Sequence, residues 1–264
     1  MNIKKNGISI FLEGDISKLP VVFIHGFPFD HNLWKKQVIK FSLNFFCVAY
    51  DVRGLGKSDS GDGQYTMESF TDDLEMVIDV MGLHKPVICG LSMGGYIALR
   101  AVERMEKKFS GIILCDTRSN ADSNEGKINR AIAIKKINNE GVKSYIEEFI
   151  PNCFSEDSLT NKKTLVRETI SNSEYFSAKG VRGCILAMAG RTDTTEYLTK
   201  LSIPALILCG KKDKISPPEV MKEMAHKISN SEFYEIPKAG HLSPLENSDA
   251  VNEHIDNFLK KISA

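Results

Sequence analysis

Residues 86–99 read Pro-Val-Ile-Cys-Gly-Leu-Ser-Met-Gly-Gly-Tyr-Ile-Ala-Leu, a segment that begins like a buried strand and ends like a helix. The apolar, β-branched run at its start is typical of a strand inside a sheet, and the residues from Tyr96 onward favour a helix. Ser92 lies at the junction, with Gly90 two positions before it and Gly94 two positions after it. This spacing is the G-x-S-x-G pattern of a nucleophile elbow, a strained turn that projects the serine hydroxyl.

The composition is that of an ordinary globular protein. The chain has 264 residues, 42% hydrophobic and 26% charged, which is enough for one large α/β domain or for a core domain with an insertion. The 34 lysines and arginines equal the 34 aspartates and glutamates, and binding of nucleic acid normally needs a basic excess. No uncharged apolar run approaches the length of a transmembrane helix. We therefore expect neither nucleic acid nor a membrane as a partner.

The N-terminal residues and the cysteines indicate a cytoplasmic protein. The apolar run at residues 8–12 is too short for the core of a signal peptide, and Glu13 interrupts it. Four of the six cysteines lie in apolar, strand-like runs, where a reduced thiol acts as a small hydrophobic group. These are Cys47, Cys89, Cys115 and Cys209, while Cys153 and Cys184 are isolated. None has the paired spacing of a zinc site, and we expect no metal and no cofactor.

Strand-like and helix-like segments alternate in residues 1–118. Strands are predicted at residues 8–12, on the edge of the sheet, and at residues 21–24, 45–50, 86–89 and 111–115. Helices are predicted at residues 33–41, from Thr66 to Gly82, and from the elbow to about residue 108. Such alternation is typical of an α/β protein with a mostly parallel sheet.

The alternation stops between residues 119 and 198, where only helical patterns occur. They cover residues 128–137, 142–150, 159–170 and 181–188. Strands return at residues 205–209 and 232–236, and a final helix is predicted at residues 251–262. The sequence therefore predicts an all-helical insertion in an α/β core.

Two loops connect this pattern with a known superfamily. The strand at residues 21–24 runs into His25-Gly26-Phe27, and residues 51–58 read Asp-Val-Arg-Gly-Leu-Gly-Lys-Ser. Together with the elbow, these loops resemble the α/β-hydrolase superfamily. Within them we expect His25 to be a hydrogen-bonded structural residue and Arg53 to pair with a nearby carboxylate.

The resemblance implies an α/β-hydrolase fold, with a mostly parallel sheet flanked by helices and a helical cap inserted after the sixth strand. It divides the chain into a core of residues 1–118 and 199–264 and a cap of residues 119–198. It also assigns the backbone amides of Phe27 and Met93 to an oxyanion hole, which stabilises the negative oxygen of a tetrahedral intermediate.

Two further loops offer partners for Ser92, each after a predicted strand. Gly-Lys-Lys-Asp ends at Asp213, and Ala-Gly-His ends at His241. The resemblance makes them the acid and the base of a catalytic triad, in the chain order Ser-Asp-His. Each of these features also has a structural alternative. A loop aspartate can simply form a turn, and a histidine after glycine can cap a helix. The Gly-x-Ser-x-Gly pattern can be an ordinary glycine-rich turn. We favour the triad because the three residues follow three matching strand ends, with Asp116 as the alternative acid.

A finer resemblance is to bacterial carboxylesterases related to 3-oxoadipate enol-lactonases. It depends on Gly-Leu-Ser-Met-Gly-Gly-Tyr at residues 90–96 and on Cys-Asp-Thr-Arg at residues 115–118. A lactonase with an anionic substrate needs a cation in its pocket, and Arg118 is a candidate. The alternative for Arg118 is an internal salt bridge.

The sequence thus predicts a cofactor-independent serine hydrolase of small carboxylic esters or lactones that forms an acyl-enzyme on Ser92. The alternatives are a carbon–carbon bond hydrolase or a cofactor-free haloperoxidase or perhydrolase of the same fold, and a non-catalytic binder of a small ligand. We expect a monomer or a homodimer. The remaining histidines are expected on the surface; they are His31, His84, His226 and His254.

Overall fold

Eight strands form one sheet in the computed structural model, which describes residues 1–263. The strands are β1 (Asn2–Lys5), β2 (Ile8–Glu13), β3 (Pro20–Ile24), β4 (Phe46–Tyr50), β5 (Val87–Leu91), β6 (Gly111–Cys115), β7 (Ala205–Gly210) and β8 (Ser231–Ile236). Their spatial order is β1-β2-β4-β3-β5-β6-β7-β8. β2 pairs antiparallel with β1 and β4, and every other pair of neighbours is parallel. The predicted mostly parallel sheet is therefore confirmed.

Ten α-helices accompany the sheet in this part of the chain. They are α1 (Lys35–Phe41), α2 (Met67–Val80), α3 (Met93–Met105), α4 (Asn124–Phe149), α5 (Glu156–Asn161), α6 (Lys163–Ser173), α7 (Ala178–Ala189), α8 (Pro218–Lys227), α9 (Ser243–Glu246) and α10 (Ser248–Ser263). Helices α4 to α7 follow β6, where the helical insertion was predicted. Among residues 1–263, no helix combines the length and the apolar character that crossing a bilayer requires.

The N-terminal strand β1 was not predicted, and it corrects the position of the next strand. β1 pairs with β2 through a two-residue turn at Asn6 and Gly7, both with positive φ (48° and 80°). β2 is therefore an inner strand, although the sequence predicted an edge strand at residues 8–12. β1 shows no apolar alternation because most of its side chains are exposed on the sheet edge. The Asn-Gly pair, a strong signal for a type I′ hairpin turn, was the available clue.

The helices of the insertion differ from the prediction at one point. The helix predicted at residues 159–170 is divided into α5 and α6 at Lys162, whose φ and ψ are −122° and 41°. The Lys162 ammonium donates a hydrogen bond to the backbone carbonyl of Glu246, outside the insertion. The separate helices predicted at residues 128–137 and 142–150 are both present, and Gly141 (φ 88°) forms the kink between them.

The carboxyl ends of the parallel strands meet at one edge of the sheet, and this edge carries the predicted site residues. β3 leads to Phe27, β5 to Ser92, β7 to Asp213 and β8 to His241. Strands β3 to β7 are buried over their whole length, so the loops after them start from a rigid base. Strands β3, β5, β7 and β8 therefore bring residues from distant parts of the chain together.

Helix α2 begins with a reciprocal cap at Thr66, the residue at which the sequence predicted the start of a helix. The Thr66 Oγ1 accepts a hydrogen bond from the Ser69 amide, and the Ser69 Oγ accepts one from the Thr66 amide, both at 3.1 Å. The pair satisfies amides that the first helical turn leaves without partners.

We expect Thr66→Ala to lower the free energy of unfolding by about 1 kcal/mol, because the Ser69 amide loses its acceptor. Urea denaturation of both proteins measures the difference. Thr66→Gly is the matched control, since glycine adopts the same backbone conformation and typically costs only a few tenths of a kcal/mol at this position. Equal stability of wild type and Thr66→Ala would contradict the role of the cap.

Candidate active site

Ser92 adopts the strained turn that the sequence predicted between strand and helix. Its φ and ψ are 51° and −113°, and α3 begins at the next residue. The turn requires glycine on both sides because a Cβ atom on Gly90 would lie 2.3 Å from the Gly94 oxygen, and one on Gly94 would lie 2.1 Å from the Ile24 oxygen. The hydroxyl of Ser92 is thereby presented above the end of β5.

Three side chains from distant loops form a continuous hydrogen-bonded chain. Ser92 Oγ lies 2.8 Å from His241 Nε2, and His241 Nδ1 lies 2.8 Å from Asp213 Oδ2. Asp213 Oδ1 accepts further hydrogen bonds from the amides of Ile215 (2.7 Å) and Ser216 (3.0 Å). All three side chains are buried. Because a carboxylate only accepts, it holds the proton on Nδ1 and leaves Nε2 free to take the serine proton.

Asp116, the alternative acid, makes a different set of contacts. Its Oδ1 accepts a hydrogen bond from the Gly210 amide (2.7 Å), and its Oδ2 bonds the Ser243 hydroxyl (2.5 Å). The hydrogen bond from His241 goes to Asp213, as predicted. Burial, together with the neighbouring charge of Asp213, raises the pKa of Asp116 well above its ordinary value. Burial therefore disfavours the charged form of Asp116, and hydrogen bonds within the protein occupy both of its oxygens.

The amides of Phe27 and Met93, assigned to the oxyanion hole, lie in the two segments that flank Ser92. Met93 is the first residue of α3, where a helix leaves its amides without an intrahelical acceptor. Among residues 1–263, neither amide donates a hydrogen bond. A Cβ atom on Gly26 would lie 3.3 Å from Ser92 Cβ, so the loop before Phe27 is in contact with the serine. Both donors remain available to a developing negative oxygen.

An aromatic cluster of Phe27, Tyr145 and Phe149 joins this loop to α4. The ring centroid of Phe27 lies 6.3 Å from that of Tyr145 and 6.0 Å from that of Phe149, and the last two rings stack at 5.4 Å. Such distances are typical of interacting aromatic rings. The helical insertion therefore packs directly on the residue that carries one of the two free amides.

The loops around His25 have structural contacts. His25 Nε2 accepts a hydrogen bond from the Val52 amide (2.9 Å), and Nδ1 lies 2.8 Å from the Gly26 oxygen, as a structural role requires. Burial lowers the pKa of His25, so the imidazole is neutral. Arg53 Nε pairs with Asp73 Oδ2 at 2.6 Å, which confirms the expected ion pair.

The prediction that the other histidines lie on the surface is wrong for His31. Its ring stacks on Phe11 with centroids 3.2 Å apart, and its Nδ1 lies 2.8 Å from the buried Asp51 Oδ1. His84 and His226 are exposed, and His254 is partly covered by the ring of Tyr234. The loop position of His31 was the basis of the prediction, and only the folded sheet brings Phe11 against it.

Arg118 does not form the internal salt bridge that was one of the two roles considered for it. Within residues 1–263, no carboxylate oxygen lies within 4.0 Å of its guanidinium, and its buried Nε has no hydrogen-bond partner. Arg118 lines a cavity of about 10 Å³ together with Tyr96, Arg100 and Arg191. That volume suffices for about one water molecule.

Two groups of side chains have the residue types of a metal site, but internal bonds occupy them. Asp116, Cys209 and Asp213 lie within 4.8 Å of one another. Burial raises the pKa of the Cys209 thiol, which disfavours the thiolate that metals bind. In the second group, which includes Asp51, the Asp51 Oδ1 and Oδ2 accept hydrogen bonds from His31 and Lys57. The six cysteines are all free and buried.

Sequence reasoning did not identify Glu246, a buried carboxylate beside the loop of His241. Its side chain accepts a hydrogen bond from the Gly240 amide (2.7 Å) and is 2% exposed. The available signal was an acidic residue in the otherwise apolar Ser-Pro-Leu-Glu segment, five residues after His241. Acidic side chains are rarely buried without a specific partner.

Comparison with known proteins gives consistent matches along the chain. A family model described as the α/β-hydrolase fold matches residues 20–248. A thermophilic esterase from Thermogutta terrifontis, whose structure was determined with malate bound, is 36% identical, with a TM-score of 0.93 and coverage of 100% of this chain and 99% of that one.

Two curated relatives are also similar over nearly their whole length. The 3-oxoadipate enol-lactonase 1 of Acinetobacter baylyi is 26% identical over 255 residues, which are 97% of this chain and 94% of the relative. The bifunctional esterase/perhydrolase of Acinetobacter calcoaceticus is 26% identical over 273 residues, with coverage of 97% and 98%. These similarities confirm the predicted resemblance to enol-lactonases and related esterases.

The raised pKa of Asp116 predicts a pH-dependent stability difference between wild type and Asp116→Asn. Between the ordinary aspartate pKa, about 3.9, and the raised folded value, the folded wild type holds a proton that the unfolded chain releases. The free energy of unfolding of the wild type therefore decreases as pH rises through this window, by up to about 1.4 kcal/mol per pH unit from this group. The variant lacks this group and its pH dependence.

Urea denaturation of both proteins from pH 4 to pH 8 measures this difference. At pH 4 the unfolded chain already holds about half of this proton, because the pH is close to the ordinary aspartate pKa of about 3.9, so the difference there mainly reports the altered hydrogen bonds to Gly210 and Ser243. Parallel curves over the whole range would contradict the raised pKa.

Proposed function

We propose that this chain, which belongs to the α/β-hydrolase fold family, is a serine hydrolase that cleaves small carboxylic esters or lactones through an acyl-enzyme on Ser92. The observation that carries the proposal is the chain of 2.8 Å contacts from Ser92 through His241 to Asp213. Fold membership alone does not select a reaction, whereas this arrangement is suited to nucleophilic catalysis.

In the first half of the reaction, Ser92 Oγ attacks the substrate carbonyl carbon while His241 Nε2 takes the hydroxyl proton. The carbonyl oxygen becomes negative and accepts hydrogen bonds from the amides of Phe27 and Met93. Asp213 stabilises the imidazolium and keeps its orientation. When the carbon–oxygen bond to the leaving group breaks, His241 returns the proton to the alkoxide and the acyl-enzyme remains.

In the second half, water attacks the acyl-enzyme and reverses these roles. His241 takes a proton from the water as its oxygen bonds to the acyl carbon, and then gives that proton to Ser92 Oγ as the ester bond breaks. The products are a carboxylic acid and the alcohol released earlier, or a single hydroxy acid or keto acid where the substrate is a lactone.

The surroundings of Ser92 support a small and largely apolar acyl group. Ser92 is 9% exposed, and the rings of Phe27, Tyr145 and Phe149 pack together beside the proposed oxyanion hole. Close aromatic walls restrict the volume next to the attacked carbonyl. The similarity to a thermophilic esterase and to an enol-lactonase supports the same substrate classes.

Perhydrolysis is the second candidate, and it is favoured by the similarity to a bifunctional esterase/perhydrolase. Hydrogen peroxide would replace water as the nucleophile that attacks the acyl-enzyme. One peroxide oxygen bonds to the acyl carbon while His241 takes its proton, and His241 then gives that proton to Ser92 Oγ as the ester bond breaks. The product is a peracid. The same acyl-enzyme serves both reactions.

We expect wild type to hydrolyse a p-nitrophenyl ester series from acetate to octanoate with the highest kcat/KM at short chains. Ser92→Ala should lower kcat by about four to six orders of magnitude, because no nucleophile remains to form the acyl-enzyme. Release of p-nitrophenol with and without hydrogen peroxide, together with a peracid assay, measures both activities. Circular dichroism checks that the variant is folded.

The other outcomes separate the alternatives. Retention of most activity by Ser92→Ala would contradict the acyl-enzyme. Labelling of Ser92 by a fluorophosphonate without turnover of any ester would indicate a reactive serine with another substrate. It would favour hydrolysis of a lactone or of a carbon–carbon bond. Neither labelling nor turnover would favour a non-catalytic binder.

A second pair of variants tests which carboxylate acts as the triad acid for His241. Asp213→Asn should lower kcat by about 10⁴-fold, because the amide favours the wrong imidazole tautomer. Asp116→Asn is the matched control and should change kcat by less than about tenfold, since Asp116 bonds Gly210 and Ser243. The reverse order of losses would assign the acid to Asp116.

A further inference from the structure

We propose that Glu246 is a positioning residue that ties the backbone of the His241 loop to the turn at residues 153–155 of the helical insertion. In this proposal the turn sets the position of the imidazole relative to Ser92 and Asp213. The inference rests on the proposed function and adds to it a residue that acts through His241.

The Glu246 carboxylate bridges two segments that are far apart in the chain. One oxygen, Oε1, accepts a hydrogen bond from the Gly240 amide at 2.7 Å. The other, Oε2, accepts from the Ser155 amide at 2.9 Å and from the Ser155 hydroxyl at 2.7 Å. Gly240 immediately precedes His241, and Ser155 lies between β6 and β7, just before α5. One side chain therefore holds both backbones at fixed distances.

Burial makes these three hydrogen bonds obligatory. Glu246 is 2% exposed, and within residues 1–263 no lysine, arginine or histidine nitrogen lies within 4.0 Å of its carboxylate. A buried carboxylate without a cation depends on the hydrogen-bond donors around it. Here the donors are supplied by the His241 loop and by the insertion, so the two segments must stay together to satisfy the charge.

The same two segments are also joined directly. The His241 amide donates a hydrogen bond to the Cys153 oxygen (2.8 Å), and the Ser155 hydroxyl lies 3.3 Å from the Lys238 oxygen. A Cβ atom on Gly240 would lie 2.7 Å from the Ser155 nitrogen, so the backbones are in contact. The turn at residues 153–155 therefore forms one wall of the His241 loop.

The opposite wall belongs to the end of β7. The Lys212 amide donates to the Ala239 oxygen at 2.8 Å, and a Cβ atom on Gly210 would lie 1.9 Å from the Gly240 oxygen. The loop is thus held between the sheet and the insertion. Because His241 must meet Ser92 and Asp213 at hydrogen-bond distance at the same time, a displacement of about 1 Å in this loop is enough to lower catalysis about 10²-fold.

The test compares Glu246→Gln with the same substitution at Glu235, an exposed residue of β8. Glutamine has one acceptor oxygen, and its NH2 group is a donor. This donor would face either the Gly240 amide or the Ser155 donors, so the hydrogen bonds on that side would be lost. We expect Glu246→Gln to lower kcat for p-nitrophenyl acetate 10- to 100-fold while KM changes less than threefold. Glu235→Gln should leave both constants unchanged.

Proton NMR gives a measurement that would not change if Glu246 only stabilised the fold. The His241 Nδ1 proton, held against Asp213, is expected to give a low-field resonance in wild type. Glu246→Gln should shift or broaden this resonance, and Asp213→Asn identifies it by removing it. A lower melting temperature with unchanged kcat and an unchanged resonance would overturn the proposal.

Two serine variants test the turn independently, also in the case that Glu246→Gln fails to fold. Ser155 and Ser123 both cap helices of the insertion, by accepting from the Ser158 amide (3.2 Å) and the Gly126 amide (3.1 Å). Only Ser155 contacts Glu246. Ser155→Ala should lower kcat threefold to tenfold and shift the resonance, whereas Ser123→Ala should change neither. Equal effects of the two variants, or no effect of Ser155→Ala, would overturn the proposal.

The two proposals fail in different ways. If wild type hydrolyses neither an ester nor a lactone, the proposed function fails, and the resonance still reports the position of His241 in every variant. If wild type hydrolyses esters and the Glu246 and Ser155 variants match it in kcat and in the spectrum, only the positioning role fails.

Discussion

The backbone turn at Ser92 is the constraint to which the rest of the site is fitted. Its positive φ of 51° costs a residue with a side chain on the order of 1–3 kcal/mol, so neighbouring groups must hold it. The Ser92 amide donates to the Cys115 oxygen (3.0 Å), and the Thr117 hydroxyl donates to the Ser92 oxygen (2.8 Å). Gly94 allows α3 to approach the end of β3, which places the loop of Phe27 beside the serine. One strained residue therefore requires close packing of three strand ends.

Buried carboxyl groups around this turn are stabilised in three different ways. Asp213 accepts hydrogen bonds from two amides and from His241, whereas Asp116 bonds Gly210 and Ser243 and has a pKa that burial raises. Glu246 bonds the backbones of Gly240 and Ser155. Each solution follows from the cost of an unpaired charge away from water. The differences explain why neighbouring carboxyl groups can take unlike roles.

The parts of the fold that the sequence pattern missed have a common cause. Strand β1 (Asn2–Lys5) carries mostly exposed side chains, so it lacks the apolar alternation by which strands are recognised. The break within residues 159–170 occurs at Lys162, which bonds the carbonyl of Glu246. Strand β1 depends on backbone pairing with β2, and the break depends on a contact with a distant segment, whereas hydrophobic periodicity reports only which face of an element is buried. Strands β3 to β7 were predictable because parallel strands buried on both faces form short apolar runs.

The same distinction applies to the site. The sequence predicted Ser92, Asp213 and His241 as the site, because each follows a predicted strand in a loop that resembles the α/β-hydrolase superfamily, and parallel strands end at one edge. It also left Asp116 as a second acid and did not identify Glu246. Only the tertiary structure decided which carboxylate bonds His241 and what holds its loop, because hydrogen bonds between segments depend on distances that local sequence does not encode.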